Sequence, residues 1–474
     1  MINLTLLRGI ILTGILGTTA IAASPNILLI TADDLNCSSV GVYGCKTKDS
    51  TPNIDRLANA GIRFDHSHVT IAVCQPSRSV WMTGRYPMHS GGEGFHQLSK
   101  PNIPILPALL RKGGYTVGIL GKSGHSTPIK FKWDMNFDQF QLGAGRNATI
   151  YAARAKTFVE QAAKSGKPFF LMANSHDPHR PFYGNDPKKW YTKKGPKKSA
   201  ALKPSKVFKP EEVVIPGFLP DIPDVRLEIA EYFSSVRRCD DTVGALLNIL
   251  DETGVANNTL VIFLSDNGMA FPFAKTNCYL HSTRTPFLVR WPANIKAGSV
   301  EQTQMVSGID ITPTILEVAG LKQPAGMDGR SFLSICQGKQ QPARDRVYTQ
   351  FHQTAAKRQY EMRTVQTTQF GYIYNAWANQ ETPFKNESMN GRTYKAMQAA
   401  GASNAAIQAR VKLFLTRIPE ELYDFGKDPD GLNNLAKSPE YRKQLLQFRK
   451  EMTDWMIKQN DPEQKKYQSF LKGK

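Results

Sequence analysis

The sequence is poor in acidic residues for its size. Its 474 residues include 40 Asp and Glu against 60 Lys and Arg, which gives a formal net charge of +20. This imbalance favours anionic partners, and nucleic acid, an anionic membrane surface and an acidic polysaccharide all qualify. The segment 188–210 alone carries nine lysines, although a solvated surface loop is its simplest interpretation. Because the basic residues are not interleaved with a recognisable nucleic-acid-binding module, we expect no nucleic-acid partner.

The apolar run at the start of the chain is too short for a membrane span. Residues 1–23 place Arg8 before the run Gly9–Leu16, and small residues follow it. This order predicts a signal peptide cleaved near Ala22 or Ala23, and therefore export to the periplasm or the extracellular space. An uncleaved anchor helix is the alternative. Since Gly and Thr interrupt the run, we expect no stable membrane insertion.

Cysteine is also scarce, with six residues in the whole chain. Six cysteines in a chain of this length do not make a disulfide scaffold, even in an oxidising compartment. Cys37 and Cys45 are near enough in sequence to pair across a short loop, but spacing alone does not fix connectivity. The 41% of hydrophobic residues is an ordinary globular proportion and leaves room for a large core.

Apolar runs of strand length recur along the chain, and each is followed by turn residues and then by a helical pattern. The clearest runs are Asn26–Ile30, Thr116–Leu120, Pro168–Ala173 and Thr259–Leu264. Strands that are apolar on both faces are typical of the buried centre of a parallel sheet. The pattern predicts an α/β fold with a large, mixed but mostly parallel central sheet flanked by helices. A long helix is expected before Gly254, where apolar residues recur at helical spacing.

The character of the sequence changes near 342–346. Beyond this point, "RVYTQF", "MRTVQTTQFGYIYN" and "ELYDFGKDPDGLNNLAK" read as antiparallel strands and turns, followed by a charged helix over 439–459. We therefore predict a larger N-terminal domain, residues 24–345, and a smaller C-terminal α+β domain on an antiparallel sheet, residues 346–474. No internal repeat is evident.

Polar side chains follow two of the predicted central strands. Asp33 and Asp34 come after the first run, and Asp266 and Asn267 come after the last. Ligands of open α/β sheets bind beyond the carboxyl ends of the strands. These oxygen donors together suit a hard cation such as Ca²⁺ or Mg²⁺. Each pair also has an ordinary explanation, because Asp-Asn-Gly is good turn chemistry and an aspartate often caps a helix.

The two other strands end in cationic and imidazole groups. Lys122 and His125 follow the second run, and His176, His179 and Arg180 follow the third. One such residue at a strand end is usually incidental. Carboxylates, lysine and histidines at four successive strand ends favour a single shared site.

The stretch "VCQPSRSVWMTGRYP" adds an anion-binding element. Pro76 suits the first turn of a helix that runs toward Met82 and ends near Gly84, and Arg78 lies one turn beyond Cys74. Free backbone N–H groups, the helix dipole and the guanidinium would together hold a tetrahedral anion at the cysteine. A buried structural cysteine near an arginine is the alternative.

These residues resemble the type I, formylglycine-dependent sulfatases of the alkaline phosphatase superfamily. "CQPSRSVWMTGR" matches the family signature C-x-P-S-R-x-x-x-x-T-G, and "LLITADDLN", "LSDNG", "RTPFLVRWP" and "ELYDFGKDPDGLNNLA" are similar to family segments. The resemblance extends over essentially the whole mature chain. It implies an alkaline-phosphatase-like fold and hydrolysis of sulfate groups.

The resemblance also implies a set of site residues. Cys74 would be converted to formylglycine (3-oxoalanine) by a formylglycine-generating maturation enzyme. Divalent-cation ligands, for Ca²⁺ rather than Mg²⁺, would be Asp33, Asp34, Asp266, Asn267 and the modified Cys74. Arg78 would hold the hydrated aldehyde, and sulfate oxygens would be bound by Lys122, His176 and Lys275. A histidine would assist proton transfer. His125 is a catalytic candidate, although "KSGH" departs from the Lys-x-His that the family usually has here.

Several segments, including "SHDPHR", "GFHQ" and "SDNGMAFPFAKTN", are more similar to the heparan N-sulfatase (sulfamidase) branch than to arylsulfatases. The expected substrate is therefore a sulfated glycan or oligosaccharide with N-sulfated glucosamine. An O-sulfatase, a phosphonate or phosphate ester hydrolase of the same superfamily and a secreted polyanion-binding protein are the alternatives. A cysteine-dependent phosphatase is disfavoured because "CQPSR" lacks a glycine-rich cradle. Candidate substrate contacts are Glu93, His96, His179, His281 and Arg284.

Overall fold

The computed structural model describes residues 24–192 and 199–474, so the predicted signal peptide, residues 1–23, lies outside the described part. The strands are β1 (Asn26–Asp33), β2 (Ile62–Phe64), β3 (Ser67–His68), β4 (Thr116–Leu120), β5 (Met135–Phe137), β6 (Phe169–Pro178), β7 (Thr259–Ser265), β8 (Phe287–Arg290), β9 (Ser299–Glu301), β10 (Val306–Ser307), β11 (Arg346–Gln353), β12 (Gln359–Thr367), β13 (Phe370–Asn375) and β14 (Glu420–Asp424). The helices are α1 (Pro52–Asn59), α2 (Cys74–Thr83), α3 (Pro87–Ser90), α4 (Leu106–Lys112), α5 (Ala148–Lys164), α6 (Pro223–Glu252), α7 (Leu280–Thr283), α8 (Ile311–Val318), α9 (Leu333–Cys336), α10 (Arg392–Gly401), α11 (Ala405–Thr416), α12 (Arg442–Gln459) and α13 (Gln464–Lys472).

The central sheet has eight strands in the order β5-β4-β6-β1-β7-β8-β2-β9. From β5 to β7 all neighbours are parallel, and β8 pairs antiparallel with both β7 and β2. The four apolar runs are β4, β6, β1 and β7, which lie side by side at the centre of the sheet. The prediction of a large, mostly parallel sheet is confirmed.

Alternate residues of the central strands enter two different cores, because successive side chains of a strand point to opposite faces. On one face, Leu28 and Ile30 pack in a cluster with residues of α5 and α6. On the other face, Ile27 and Leu29 pack with residues of α4 and α8. The predicted long helix is α6, and Gly254, with φ +69°, follows its end. Helices on both faces explain why these strands carry so few polar residues.

The C-terminal region forms a four-stranded antiparallel sheet, β11-β12-β13-β14, as expected. Its residues Phe351, Met362 and Val365 belong to the same hydrophobic cluster as Leu28 of the central sheet. The backbone N–H of Gln350 also donates to the carbonyl of Thr70 (2.9 Å), just before α2. The C-terminal sheet is thus packed beside the segment that carries Cys74. The exact boundary between the predicted domains, 24–345 and 346–474, stays a prediction.

All six cysteines are free thiols in the described part of the chain, so Cys37 and Cys45 are not paired. Cys37 is buried and Cys45 is only partly buried. In residues 24–192 and 199–474 we find no helix with both the length and the apolar character that crossing a bilayer requires.

Candidate active site

Helix α2 presents Cys74 at its first residue. Pro76 lies in the first turn, and the helix ends at Gly84, whose left-handed backbone (φ 63°) lets its N–H return to the carbonyl of Val80 (2.8 Å). Cys74 is buried, with 2% of its surface exposed. The helix predicted from the sequence is present, and it places the thiol at the carboxyl edge of the central sheet.

The carboxyl ends of β1 and β7 meet beside Cys74. These strands are neighbours, with Ala32 opposite Ser265 in the register. The backbone N–H of Asp34 donates to Asp266 Oδ1 (3.1 Å), and Asn267 Nδ2 donates to Asp34 Oδ1 (2.7 Å). Asp34 has φ 69°, so the chain turns sharply at the end of the strand. The structure therefore brings together the side chains predicted to bind a cation.

The oxygen atoms at this edge fit a hard metal ion. Within the described residues, Asp33, Asp34, Cys74 and His179 each offer a ligand atom, and these atoms lie within 4.8 Å of one another. Asp33 Oδ1 and Asn267 Oδ1 are buried and accept no hydrogen bond from the described part of the chain. Buried polar atoms are rarely left without a partner, so a cation is a physically reasonable one.

Asp266 is arranged differently from the other predicted ligands, because its Oδ2 accepts a hydrogen bond from Arg78 Nε (2.9 Å). Burial and the nearby charge of Asp33 raise the pKa of Asp266 to about 7. Burial would raise the pKa of Asp33 as well, but the cationic side chains led by Lys122 hold it well below its ordinary value. Burial thus disfavours the charged form of Asp266, and a cation bound between these carboxylates would stabilise it.

The Cys74 thiol is not activated as a thiolate. Burial, reinforced by the carboxylates of Asp33 and Asp266, raises the pKa of Cys74 well above its ordinary value, although Lys275 opposes this. Reactive cysteines instead have a lowered pKa in an electropositive environment. An unmodified Cys74 would therefore be protonated, and a poor nucleophile, at neutral pH.

Arg78 organises the strand ends from inside the protein. Its side chain is fully buried and forms an ion pair with Asp266 (Nη2 to Oδ2, 2.7 Å). It also donates through Nη1 to Thr31 Oγ1 (3.0 Å) and Asn174 Oδ1 (2.7 Å). Asn174 in turn donates to the carbonyl of Gly121 (2.9 Å). Asn174 thus connects α2, β1 and β4, and the sequence analysis missed it although it directly follows the third apolar run.

Two buried lysines face the carboxylates. The ammonium of Lys122 contacts Asp33, and Lys275 Nζ lies 2.7 Å from Asp34 Oδ1. Lys275 also contacts Glu387, which belongs to the C-terminal half of the chain and which the sequence analysis missed. Burial opposes the charge of Lys275, but the surrounding carboxylates, Asp34 foremost, raise its pKa well above the ordinary value. Both lysines are therefore cationic at neutral pH, as a site for an anion requires.

The histidines of "SHDPHR" differ in what their rings contact. His176 Nε2 accepts the backbone N–H of Lys122 (3.2 Å), and burial, with Lys122, lowers the His176 pKa well below its ordinary value. A Cβ on Gly145 would lie 2.2 Å from the His176 ring, so the ring is closely packed. His179 Nδ1 lies 2.5 Å from the Arg180 carbonyl, to which it donates, and its Nε2 is 3.9 Å from Asp34 Oδ2. His179 is thus the histidine whose free ring nitrogen faces the carboxylates.

The remaining predicted residues contact other side chains of the protein. Burial and Lys122 lower the pKa of His125 to about 3, and the His96 ring packs against it at 5.3 Å. Glu93 is 3.9 Å from His352 and lines a cavity of about 280 Å³ on the C-terminal side. His281 and Arg284 also have partners within the protein. His281 Nε2 lies 3.2 Å from Asp430 Oδ1, and Arg284 Nε donates to the Asp65 carbonyl (2.9 Å). The catalytic role of His125 and the substrate contacts of the other residues stay predictions.

An α/β sheet that gathers carboxylates, lysines and a buried cysteine at its carboxyl edge is the arrangement of a hydrolase acting on an anionic group. Comparison with known families agrees. A family model described as Sulfatase matches residues 25–321, and one described as N-sulphoglucosamine sulphohydrolase, C-terminal, matches residues 270–387. The chain belongs to the sulfatase family and is a hydrolase of sulfate esters or sulfamates.

Similar proteins of known activity extend over most of the chain. Human N-sulphoglucosamine sulphohydrolase is 29% identical over 462 residues, which cover 92% of this chain and 91% of the human protein. An ulvan-active sulfatase of Formosa agariphila is 28% identical, with coverage of 94% and 82%. Human N-acetylgalactosamine-6-sulfatase is 27% identical, with coverage of 68% of each chain.

Solved structures support the fold. A protein in complex with its substrate, D-glucosamine-2-N,6-O-disulfate, has a TM-score of 0.67 and 21% identity, with coverage of 93% of this chain and 100% of that one. A phosphonate monoester hydrolase of Agrobacterium radiobacter has a TM-score of 0.65 and 17% identity, with coverage of 92% and 96%. At these identities the likeness concerns architecture alone.

Proposed function

We propose that the protein removes sulfate from a sulfated glycan, and that its substrate carries the N-sulfate of glucosamine. The observation that carries the proposal is the position of Cys74, buried at the start of α2 among Asp33, Asp34 and the two lysines. The resemblance of the full chain to N-sulphoglucosamine sulphohydrolase and the C-terminal family match support the choice of N-sulfate.

Cys74 is the residue that we assign to the nucleophile, after its conversion to formylglycine by a separate maturation enzyme. The hydrate of formylglycine would supply one hydroxyl to displace the leaving group from sulfur, and a second hydroxyl whose deprotonation would release sulfate and restore the aldehyde. The protonated state of the unmodified thiol supports this assignment, because a plain cysteine in this environment is a weak nucleophile.

We assign the cation site to Asp33, Asp34, Asp266 and Asn267, with Ca²⁺ preferred to Mg²⁺. The unpartnered oxygens of Asp33 and Asn267 would bind the ion directly, and Arg78 would hold Asp266 in place. A bound cation would supply charge stabilisation for the sulfate oxygens. Ca²⁺ accepts a larger and less regular set of oxygen ligands than Mg²⁺, which suits donors from two separate strand ends.

The other buried groups would act on the sulfate and on the leaving group. Lys122 and Lys275 would stabilise the negative charge that gathers on the sulfate oxygens in the transition state. His179, whose Nδ1–H is held by the Arg180 carbonyl and whose Nε2 faces the site, would in its imidazolium form donate the proton that the leaving nitrogen needs. His176 would fix the backbone at Lys122 through its 3.2 Å hydrogen bond. From sequence, His176 was expected to bind sulfate oxygens and His179 to contact substrate, so this assignment gives both histidines different roles.

An O-sulfatase is the second candidate, because an ulvan-active sulfatase and N-acetylgalactosamine-6-sulfatase are both similar to the chain. Phosphonate ester hydrolysis has support only from a shared fold. A secreted polyanion-binding protein would not need the buried lysines and carboxylates, whose desolvation is costly. Export to the periplasm or the extracellular space fits a polymeric substrate.

The test uses purified protein coexpressed with a formylglycine-generating enzyme. Its kcat/KM is measured on N-sulfoglucosamine, on N-acetylglucosamine 6-O-sulfate and on an aryl phosphonate monoester, with Cys74→Ala as the matched inactive control. We expect N-sulfoglucosamine to be the best of the substrates and the control to be inactive on all of them. Turnover of the O-sulfate alone would replace the proposal with the second candidate.

A further inference from the structure

Glu387 lies where the sulfate site meets an open cavity. Its carboxylate is paired with Lys275, and its side chain is 32% exposed whereas that of Lys275 is fully buried. Lys275 therefore has Asp34 on its inner side and Glu387 toward the outside. Beside Glu387 is a cavity of about 480 Å³, and its lining includes Val73, Thr276, Asn386, Glu387 and Asn390. Because Val73 directly precedes Cys74 and Thr276 directly follows Lys275, we assign this space to the sugar ring that carries the sulfate.

Hydrogen bonds hold the Glu387 segment against the site. Asn386 Nδ2 donates to Thr276 Oγ1 (2.6 Å), and the backbone N–H of Thr276 donates to the Ala72 carbonyl (2.9 Å). Asn386 directly precedes Glu387, and Thr276 directly follows Lys275. The two bonds therefore connect the Glu387 segment to the Lys275 segment, and the Lys275 segment to the residues that lead into Cys74. The position of the Glu387 carboxylate is thus fixed relative to the nucleophile.

A carboxylate in this place distinguishes two kinds of sulfate. An ionised carboxylate only accepts hydrogen bonds. The bridging nitrogen of a sulfamate carries an N–H that can donate to it, whereas the bridging oxygen of a sulfate ester carries only lone pairs. When the N–S bond is broken, a hydroxyl of the formylglycine hydrate would supply the new oxygen on sulfur, water would later restore the hydrate, and the released amine takes up a proton. The resulting ammonium is attracted to the same carboxylate.

We propose that Glu387 is a specificity-determining residue that accepts the N–H of the sulfamate and so selects N-linked over O-linked sulfate. This inference rests on the proposed function, since it names the group that chooses between its two candidate substrates. Lys275 keeps Glu387 ionised: burial alone would raise the Glu387 pKa, but Lys275 lowers it to about 2.

The test compares Glu387→Met and Glu387→Gln with the wild type on N-sulfoglucosamine and on 4-methylumbelliferyl sulfate. A hydrogen bond to a charged group predicts that Glu387→Met loses at least about tenfold more kcat/KM on the N-sulfate than on the O-sulfate. Glu387→Gln, which keeps an uncharged acceptor, should fall between. Glu231→Gln is the matched control, because Glu231 pairs with Arg392 (3.1 Å) outside the cavity.

Product inhibition gives a readout that does not depend on O-sulfate turnover. Glu387→Met should weaken inhibition by glucosamine about tenfold and leave inhibition by 2-deoxyglucose, which has no hydrogen-bond donor on C2, unchanged. Equal losses on both sulfates, with unchanged glucosamine inhibition, would overturn the inference and leave Glu387 as a residue that only positions Lys275. A wild type that does not hydrolyse N-sulfoglucosamine would instead refute the proposed function, and the inference with it.

Discussion

Removing the Arg78 guanidinium should destabilise the protein strongly. Arg78 and Asp266 are both fully buried and lie 2.7 Å apart, so Arg78→Ala leaves Asp266 in the interior without its cation, where it must stay charged and unpaired or take up a proton. Loss of one partner of a buried ion pair costs about 3–5 kcal/mol. Asn174 Oδ1 and Thr31 Oγ1 lose a donor as well. We expect a loss of this size in the free energy of unfolding, measured by urea titration of metal-free protein.

Two further variants isolate the cause. Lys450→Ala breaks an ion pair with Asp454 whose members are 71% and 58% exposed, and it should cost no more than about 0.5 kcal/mol. In the double variant Arg78→Ala/Asp266→Asn, no charge remains at position 266, so the total loss should be smaller than the sum of the single losses. A loss below about 1 kcal/mol for Arg78→Ala would refute the reasoning, because it would mean that the buried pair is not needed to keep Asp266 in the interior.

Two other predictions concern the cation and the pH dependence of stability. Asn267→Ala removes a buried oxygen that lacks a hydrogen-bond partner, so Ca²⁺ affinity in calorimetric titration should fall at least about tenfold, and an unchanged affinity would exclude Asn267 as a ligand. His89 donates a hydrogen bond to Asp328. This bond and the bond to the Gln459 carbonyl raise the pKa of His89 above 6.5, although the ring is partly buried. Its stabilisation is therefore present below pH 6.5 and lost as pH rises through the folded pKa. The melting-temperature difference between wild type and His89→Gln should shrink over that range, and a constant difference would contradict the linkage.

The architecture was largely predictable because the central strands are continuous apolar runs. Runs such as Asn26–Ile30 and Thr259–Leu264 are buried on both faces, and this leaves a clear signal in the sequence. Their polar endings mark the edge of the sheet where the site lies. Cys74 and Arg78 were recognisable for a similar reason, since a single helix positions both of them.

The rest of the site depends on contacts that local sequence does not encode. Glu387 reaches Lys275 only because a loop of the C-terminal half packs against the segment after β7, and no motif surrounds it. The two histidines of "SHDPHR" could not be distinguished by spacing, since β6 continues through His176 to Pro178. His176 is therefore buried within the strand, and His179 follows the strand end and turns toward the carboxylates.

The most direct test is mass spectrometry of the peptide that contains Cys74. It is paired with a measurement of N-sulfoglucosamine turnover by the same preparation. The account predicts an aldehyde in place of the thiol, and a turnover rate proportional to the fraction of protein that carries it. Full activity in protein whose Cys74 is entirely an unmodified thiol would contradict it.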